Sequence, residues 1–191
     1  MAALKLIFIL IFGDFIKYVV LYNPMLTYTV RFKKVSLHPS NLGNFTIHQY
    51  RESQFVNGNL TVPLNSLPDK TLFWKAVITF YRCDAEGINC EYFQTWTFSD
   101  ICLKLKEKNQ IWSRWYGSFD PPMVCPLDKV HYHITNGTFD IGSAILLYPQ
   151  ATDYQWRVIQ KYYADDNLIS TMIMEFSFFG YRRKNKFILK P

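Results

Sequence analysis

Four cysteines, a histidine pair and an aspartate pair are the parts of this sequence whose types and spacing could do chemistry. Cys83 and Cys90 flank Asp84 to Asn89, a segment containing Glu86-Gly87, so a bridge between them would close a hairpin loop. Cys102 and Cys125, the latter directly before Pro126, would then form the second bridge. Four cysteines allow three pairings, and spacing alone leaves all of them open, free buried thiols included. His131 and His133 alternate, which on a strand puts both rings on one face, as two metal ligands would stand. No third ligand lies at a recognisable spacing, so the pair reads as surface residues and no metal site is expected. Asp165 and Asp166 are adjacent in turn-like sequence, where neighbouring carboxylates point apart and stay solvated, which argues against a shared acid–base role. No Gly-x-Ser-x-Gly elbow, phosphate-cradling glycine loop or His-Glu-x-x-His helix occurs. The expectation is a protein that is not an enzyme and uses no cofactor.

The compartment is the next constraint. Lys5 precedes the apolar run Leu6 to Phe12, the layout of a secretory signal peptide over residues 1–20, with cleavage between about residues 13 and 22. The run is too short to span a bilayer, and Asp14 and Lys17 interrupt the stretch after it. A buried first strand is the blander reading of the same run. Three sequons, starting at Asn44, Asn59 and Asn136, add glycosylation sites to an even cysteine count. Together they predict a secreted, extracellular protein with disulfides.

Of 191 residues, 49% are hydrophobic and only 19% charged, which excludes a disordered chain and leaves room for one packed domain over residues 21–191. The net charge of +6 would suggest a nucleic-acid partner if it were spread over the chain. It is not: Arg182, Arg183, Lys184, Lys186 and Lys190 fall in the last ten residues with no acid among them. The remainder is nearly neutral, so no nucleic-acid partner is expected. The tail reads as a solvated end, with attraction to an anionic membrane surface as its functional alternative.

The elements that must position these groups are strands. Tyr28, Val30 and Phe32 alternate with Arg31 and Lys33, the pattern of a half-buried strand. Asn57-Gly58 between apolar runs predicts a hairpin turn. Leu72, Trp74, Ala76, Ile78 and Phe80 share one face of a further strand, and Tyr92, Trp96 and Phe98 one face of the next. Trp156 and Val158 do so later, as do Met172, Met174, Phe176 and Phe178, with Asp165-Asp166-Asn167 as the turn between. One stretch, Asp100 to Asn109, reads as a helix with Ser99 as its cap and Ile101, Cys102 and Leu105 on one side. The fold class is therefore all-β: an open β-sandwich or β-cup with one short helix.

The order Cys83, Cys90, Asp100-Ile101-Cys102, then Cys125-Pro126 and Tyr132, resembles the ganglioside-activator-like lipid-binding proteins, and among them the insect CheB chemosensory proteins. The resemblance spans roughly Leu72 to Tyr181, and the chain lacks the further cysteines of the vertebrate activators. It implies a β-cup with an apolar cavity, two disulfides paired Cys83–Cys90 and Cys102–Cys125, and a role in carrying a lipid or pheromone-like molecule. A receptor- or channel-modulating scaffold without a permanent ligand is the alternative.

A sandwich that closes fully fills its own interior, whereas one splayed at an end leaves space for a lipid chain. The expected lining is Trp74, Ile78, Phe80, Trp96, Phe98, Trp156, Val158, Met172, Met174, Phe176 and Phe178, where methionine suits an irregular ligand. Trp112, Trp115 and Tyr116, beside Arg114 and ahead of Pro121-Pro122, read as a membrane-touching lip, since amphipathic rings favour the interface.

Overall fold

A computed structural model describes residues 26–62, 74–125 and 131–182 of the chain, and among these residues alternating apolar positions fold into nine strands. The leader with its cleavage region, Leu72, Pro126 and the basic tail beyond Arg182 lie outside the described residues. The strands are β1 (Thr27–His38), β2 (Gly43–Tyr50), β3 (Ser53–Thr61), β4 (Trp74–Cys83), β5 (Cys90–Phe98), β6 (Phe119–Asp120), β7 (His131–Gly137), β8 (Gln155–Ala164) and β9 (Asn167–Tyr181). Among the described residues three short helices join them, not the single one expected: α1 (Ile101–Lys106), α2 (Ser113–Tyr116) and α3 (Gly142–Leu147), the last two being too short for a helical period to show in the sequence. Two antiparallel sheets result, one of five strands in the order β1-β9-β8-β4-β5 and one of four in the order β2-β3-β7-β6. The protein is an all-β sandwich held by two disulfides.

Strand alternation decides which side chains point inward. On β1, Val30 and Phe32 are buried, and a bulge between Phe32 and Lys34 then hands the inward side to Val35 and Leu37. The bulge leaves Lys33 and Lys34 both exposed. The turn between β8 and β9 consists of Asp165 and Asp166, both in the left-handed region at φ 46° and 68°, and Asn167 already belongs to β9. Two consecutive positive φ values match the twist of the flanking strands, and aspartate tolerates them.

Two local expectations are corrected. Asn57-Gly58 is not a turn: the β2–β3 hairpin reverses at Arg51-Glu52, with Arg51 at φ 53°. Asn57 and Gly58 instead sit inside β3 where its register against β7 shifts, and the Asn57 carboxamide accepts the Asn136 backbone N–H at 2.7 Å. A Cβ at Gly58 would collide with the Asn44 carbonyl, so close strand approach explains the glycine. The helix starts one residue later than a Ser99 cap requires, because Asp100 caps it by accepting the Cys102 N–H at 2.9 Å. It ends at Lys106 and not at Asn109, since Glu107 is extended and Asn109 is left-handed at φ 60°.

The disulfides pair Cys83 with Cys90 and Cys102 with Cys125. Cys83 and Cys90 face each other directly in the β4–β5 register, their Cα atoms 4.0 Å apart. Cys102–Cys125 ties α1 to the segment after β6. In the loop that the first bridge closes, the Asp84 carboxylate accepts the Ile88 N–H at 3.0 Å and the Asn89 side-chain N–H at 2.7 Å. These donors hold the carboxyl below its ordinary range, the Ile88 N–H contributing most.

Candidate functional site

A cavity of about 370 Å3 lies against one end of the five-stranded sheet. Its floor and wall come from β4 (Ile78, Phe80), β5 (Trp96, Phe98), β8 (Trp156, Val158) and β9 (Met174, Phe176, Phe178), nine of the eleven side chains that the alternation assigns to a lining. Trp74 and Met172, on the same inward face, do not reach it. They border a second, smaller cavity of about 70 Å3 further along the sheet. Both sit where the four-stranded sheet faces them, beside Leu60, Val62 and Phe119.

The cover of the large cavity is made from connections. α1 contributes Ile101 and Lys104, the following loop Ile111, α2 Trp115 and Tyr116, and α3 Ala144 and Leu147. Trp112 donates its indole N–H to the Lys104 carbonyl at 3.1 Å, which fastens the loop to α1. Lys104 is the only charged side chain in the described lining, and its ammonium lies 2.6 Å from the Glu107 carboxylate. Phe93, Gln94 and Leu147 are the exposed members and mark the mouth, Leu147 at 85% exposure.

The aromatic run expected as a membrane lip points the other way. Trp115 is 2% exposed and stacks on Phe139 with ring centres 5.3 Å apart. Trp112 meets Phe98 edge-on at 5.6 Å, and Tyr116 faces Tyr162. Residues 113–116 form one helical turn. Trp112, Trp115 and Tyr116 are spaced i, i+3 and i+4, so they share its inward side, while Arg114 is left exposed. These three residues belong to the core and the cavity cover, not to an exposed lip.

Beyond the cover, sequence reasoning missed Phe93, Gln94 and Gln160 on the sheet, of which only Gln160 is offered by the pattern. Tyr92 shares the expected face of Trp96 and Phe98, yet it is exposed, and Phe93 lines the cavity in its place. The register passes from Phe80↔Gln94 to Tyr81↔Tyr92, so a bulge at Phe93 swaps the faces. On β8 the period-2 face running from Trp156 through Val158 continues to Gln160, a polar side chain 6% exposed at the cavity wall. Its carboxamide oxygen accepts the Tyr162 hydroxyl at 2.7 Å, and Tyr162 in turn lies 3.5 Å from the Tyr116 hydroxyl. Burial raises the pKa of both phenols, that of Tyr162 further, because the Tyr116 hydroxyl beside it adds to the effect. Tyr116 borders both cavities, so this neutral polar chain marks the seam between them.

No protein-family model and no curated protein matches this chain. His131 and His133 are exposed on β7, and their Nδ1 atoms engage Thr61 and Asn59 of β3. Among the described residues no cluster of three or more His, Cys, Asp or Glu is placed to hold a metal ion, and no helix is long and apolar enough to cross a membrane. Asn44 and Asn59 oppose each other across β2 and β3, and Asn136 is the penultimate residue of β7 in the same sheet, all three exposed. The sequons therefore lie on the four-stranded sheet, which contributes no strand residue to the large cavity.

Proposed function

We propose that this chain is a secreted, non-enzymatic carrier of a hydrophobic ligand, of the chemosensory kind that its cysteine pattern resembles. The cavity of about 370 Å3 carries the reading: it falls within the roughly 300–1,000 Å3 of small-molecule sites, and its wall is almost wholly aliphatic and aromatic. Such a wall binds through apolar burial. Each methylene contributes about 0.8 kcal/mol, so a chain of about ten carbons supplies about 8 kcal/mol against the costs of association. Exposed Phe93 and Leu147 offer an entering chain its first apolar contacts. The two disulfides fit an oxidising compartment, and exposed sequons away from the mouth fit a protein that carries glycans and still loads its ligand.

The test is native mass spectrometry of the glycosylated protein from a secreting cell, followed by organic extraction and identification of the released molecules. A stoichiometric hydrophobic molecule is the expected result. A folded protein that is empty, and stays empty after incubation with hydrocarbons, long-chain esters and glycolipids, overturns the carrier reading in favour of a receptor-modulating scaffold.

A further inference from the structure

Gln160 is the one inward residue of β8 whose polarity a hydrocarbon-only cavity does not explain. It is 6% exposed and opens onto the large cavity. Its oxygen is satisfied by Tyr162, but its carboxamide nitrogen reaches only the Met174 thioether, at 3.4 Å. Sulfur is a weak acceptor, and a primary amide brings two N–H donors, so at least one has no good partner. Keeping such a group buried costs free energy unless something accepts from it.

We propose that Gln160 is the recognition point for a neutral, single-chain ligand carrying an oxygen acceptor, a ketone, aldehyde or ester, at its buried end. This rests on the carrier reading and deepens it by naming the ligand class. A carboxylate is a poor fit for the same place. Lys104 is the only cation in the described lining, and Glu107 already neutralises it. An ionised head group at Gln160 would be desolvated without a counter-charge. The Tyr116–Tyr162 chain is uncharged as well, since phenols are protonated at neutral pH. The floor thus offers donors without charge, which selects a neutral acceptor over both a bare hydrocarbon and an anion.

The experiment compares an alkane, a ketone, a methyl ester and a fatty acid of equal chain length, titrated into the delipidated, disulfide-intact protein at neutral pH. Wild type is expected to bind the ketone and ester about tenfold more tightly than the alkane, the range of one net hydrogen bond, and the acid least. Gln160→Leu should erase that preference while alkane binding holds, and Gln94→Leu at the mouth should leave it intact. An infrared spectrum of isotope-labelled ketone on wild type reads the bond without a variant: the carbonyl band should move to lower frequency than in hydrocarbon solvent. An unshifted band, a preference that survives Gln160→Leu, or one that depends on Gln94 overturns the assignment while leaving the carrier intact. Fatty acid binding as tight as ketone overturns the neutral-ligand part. Failure of the folded protein to bind any of the four overturns the carrier reading itself.

Discussion

Trp74 and Trp156 stand on adjacent strands of one sheet, both on its inward side and both buried, yet Trp74 borders a gap of about 70 Å3 and Trp156 a cavity of about 370 Å3. The difference is in the elements opposite. Around Trp74 and Met172, Leu60, Val62 and Phe119, supplied by or next to strands of the second sheet, join Ile101 and Leu105 of α1 and Trp115 and Tyr116 of α2. Two sheets pack about 10 Å apart and interdigitate, so that end fills itself. Facing Trp156 and Val158 are α1, α3 and the turns beside them. A six-residue helix is only about 9 Å long, and pieces of that size do not tile a sheet as another sheet does. One end is a core and the other a container, made by the same alternation.

The largest expected effect tests that division directly. Trp115 reaches the seam, 2% exposed and flanked by Phe139 and Phe119. Trp115→Ala should cost about 3–5 kcal/mol, measured by chemical denaturation, because the packed neighbours cannot collapse into the void. Phe80 borders the large cavity and is only half-buried, so Phe80→Ala should cost less than half as much. Equal losses would mean that the large cavity is packed as tightly as the core, and the division would fall.

Adding volume sharpens the same comparison. Ala76 is fully buried on β4 outside both cavities, and Ala76→Leu should destabilise by about 1–3 kcal/mol through overpacking. Ala144 lines the container from α3. Ala144→Leu should leave the melting temperature nearly unchanged while excluding the longest ligands. A destabilisation at Ala144 that matches Ala76 would show that α3 already rests on filled space.

The same physics sets how much of this is legible in the sequence. Period-2 alternation identifies the inward face of a strand: nine of the eleven side chains it groups there line the large cavity, and with the turn signals between strands it points to the all-β sandwich. It carries no information about the element across from that face, which is why it groups Trp74 and Met172 with the container. Bulges are equally silent: the one at Phe93 exchanges it with Tyr92, and nothing in Tyr92-Phe93-Gln94 announces the swap. Asn57-Gly58 has the residue types of a tight turn but is fixed by the approach of β2, a tertiary cause that no local window contains. The error at Trp112, Trp115 and Tyr116 has a readable cause. Their i, i+3, i+4 spacing already describes one face of a helical turn. Gln160 is readable too, as a polar interruption of an apolar face.

The smallest effect belongs to the seam between the two ends. Tyr116 and Tyr162 have phenols raised above the ordinary value of about 10, chiefly by burial. The folded state therefore holds these protons more tightly than the unfolded chain does. Their contribution to stability is complete below about pH 10 and is lost as the pH climbs from there through the raised values. In an alkaline titration followed by phenolate absorbance, two of the 13 tyrosines should ionise late, together with loss of the circular dichroism of the fold. Tyr116→Phe should remove one from the late group and change stability at neutral pH by less than about 1 kcal/mol, since its 3.5 Å contact is long for a hydroxyl pair. If both phenols instead titrate near pH 10 in an intact protein, water reaches the seam, and core and container are one continuous wet space.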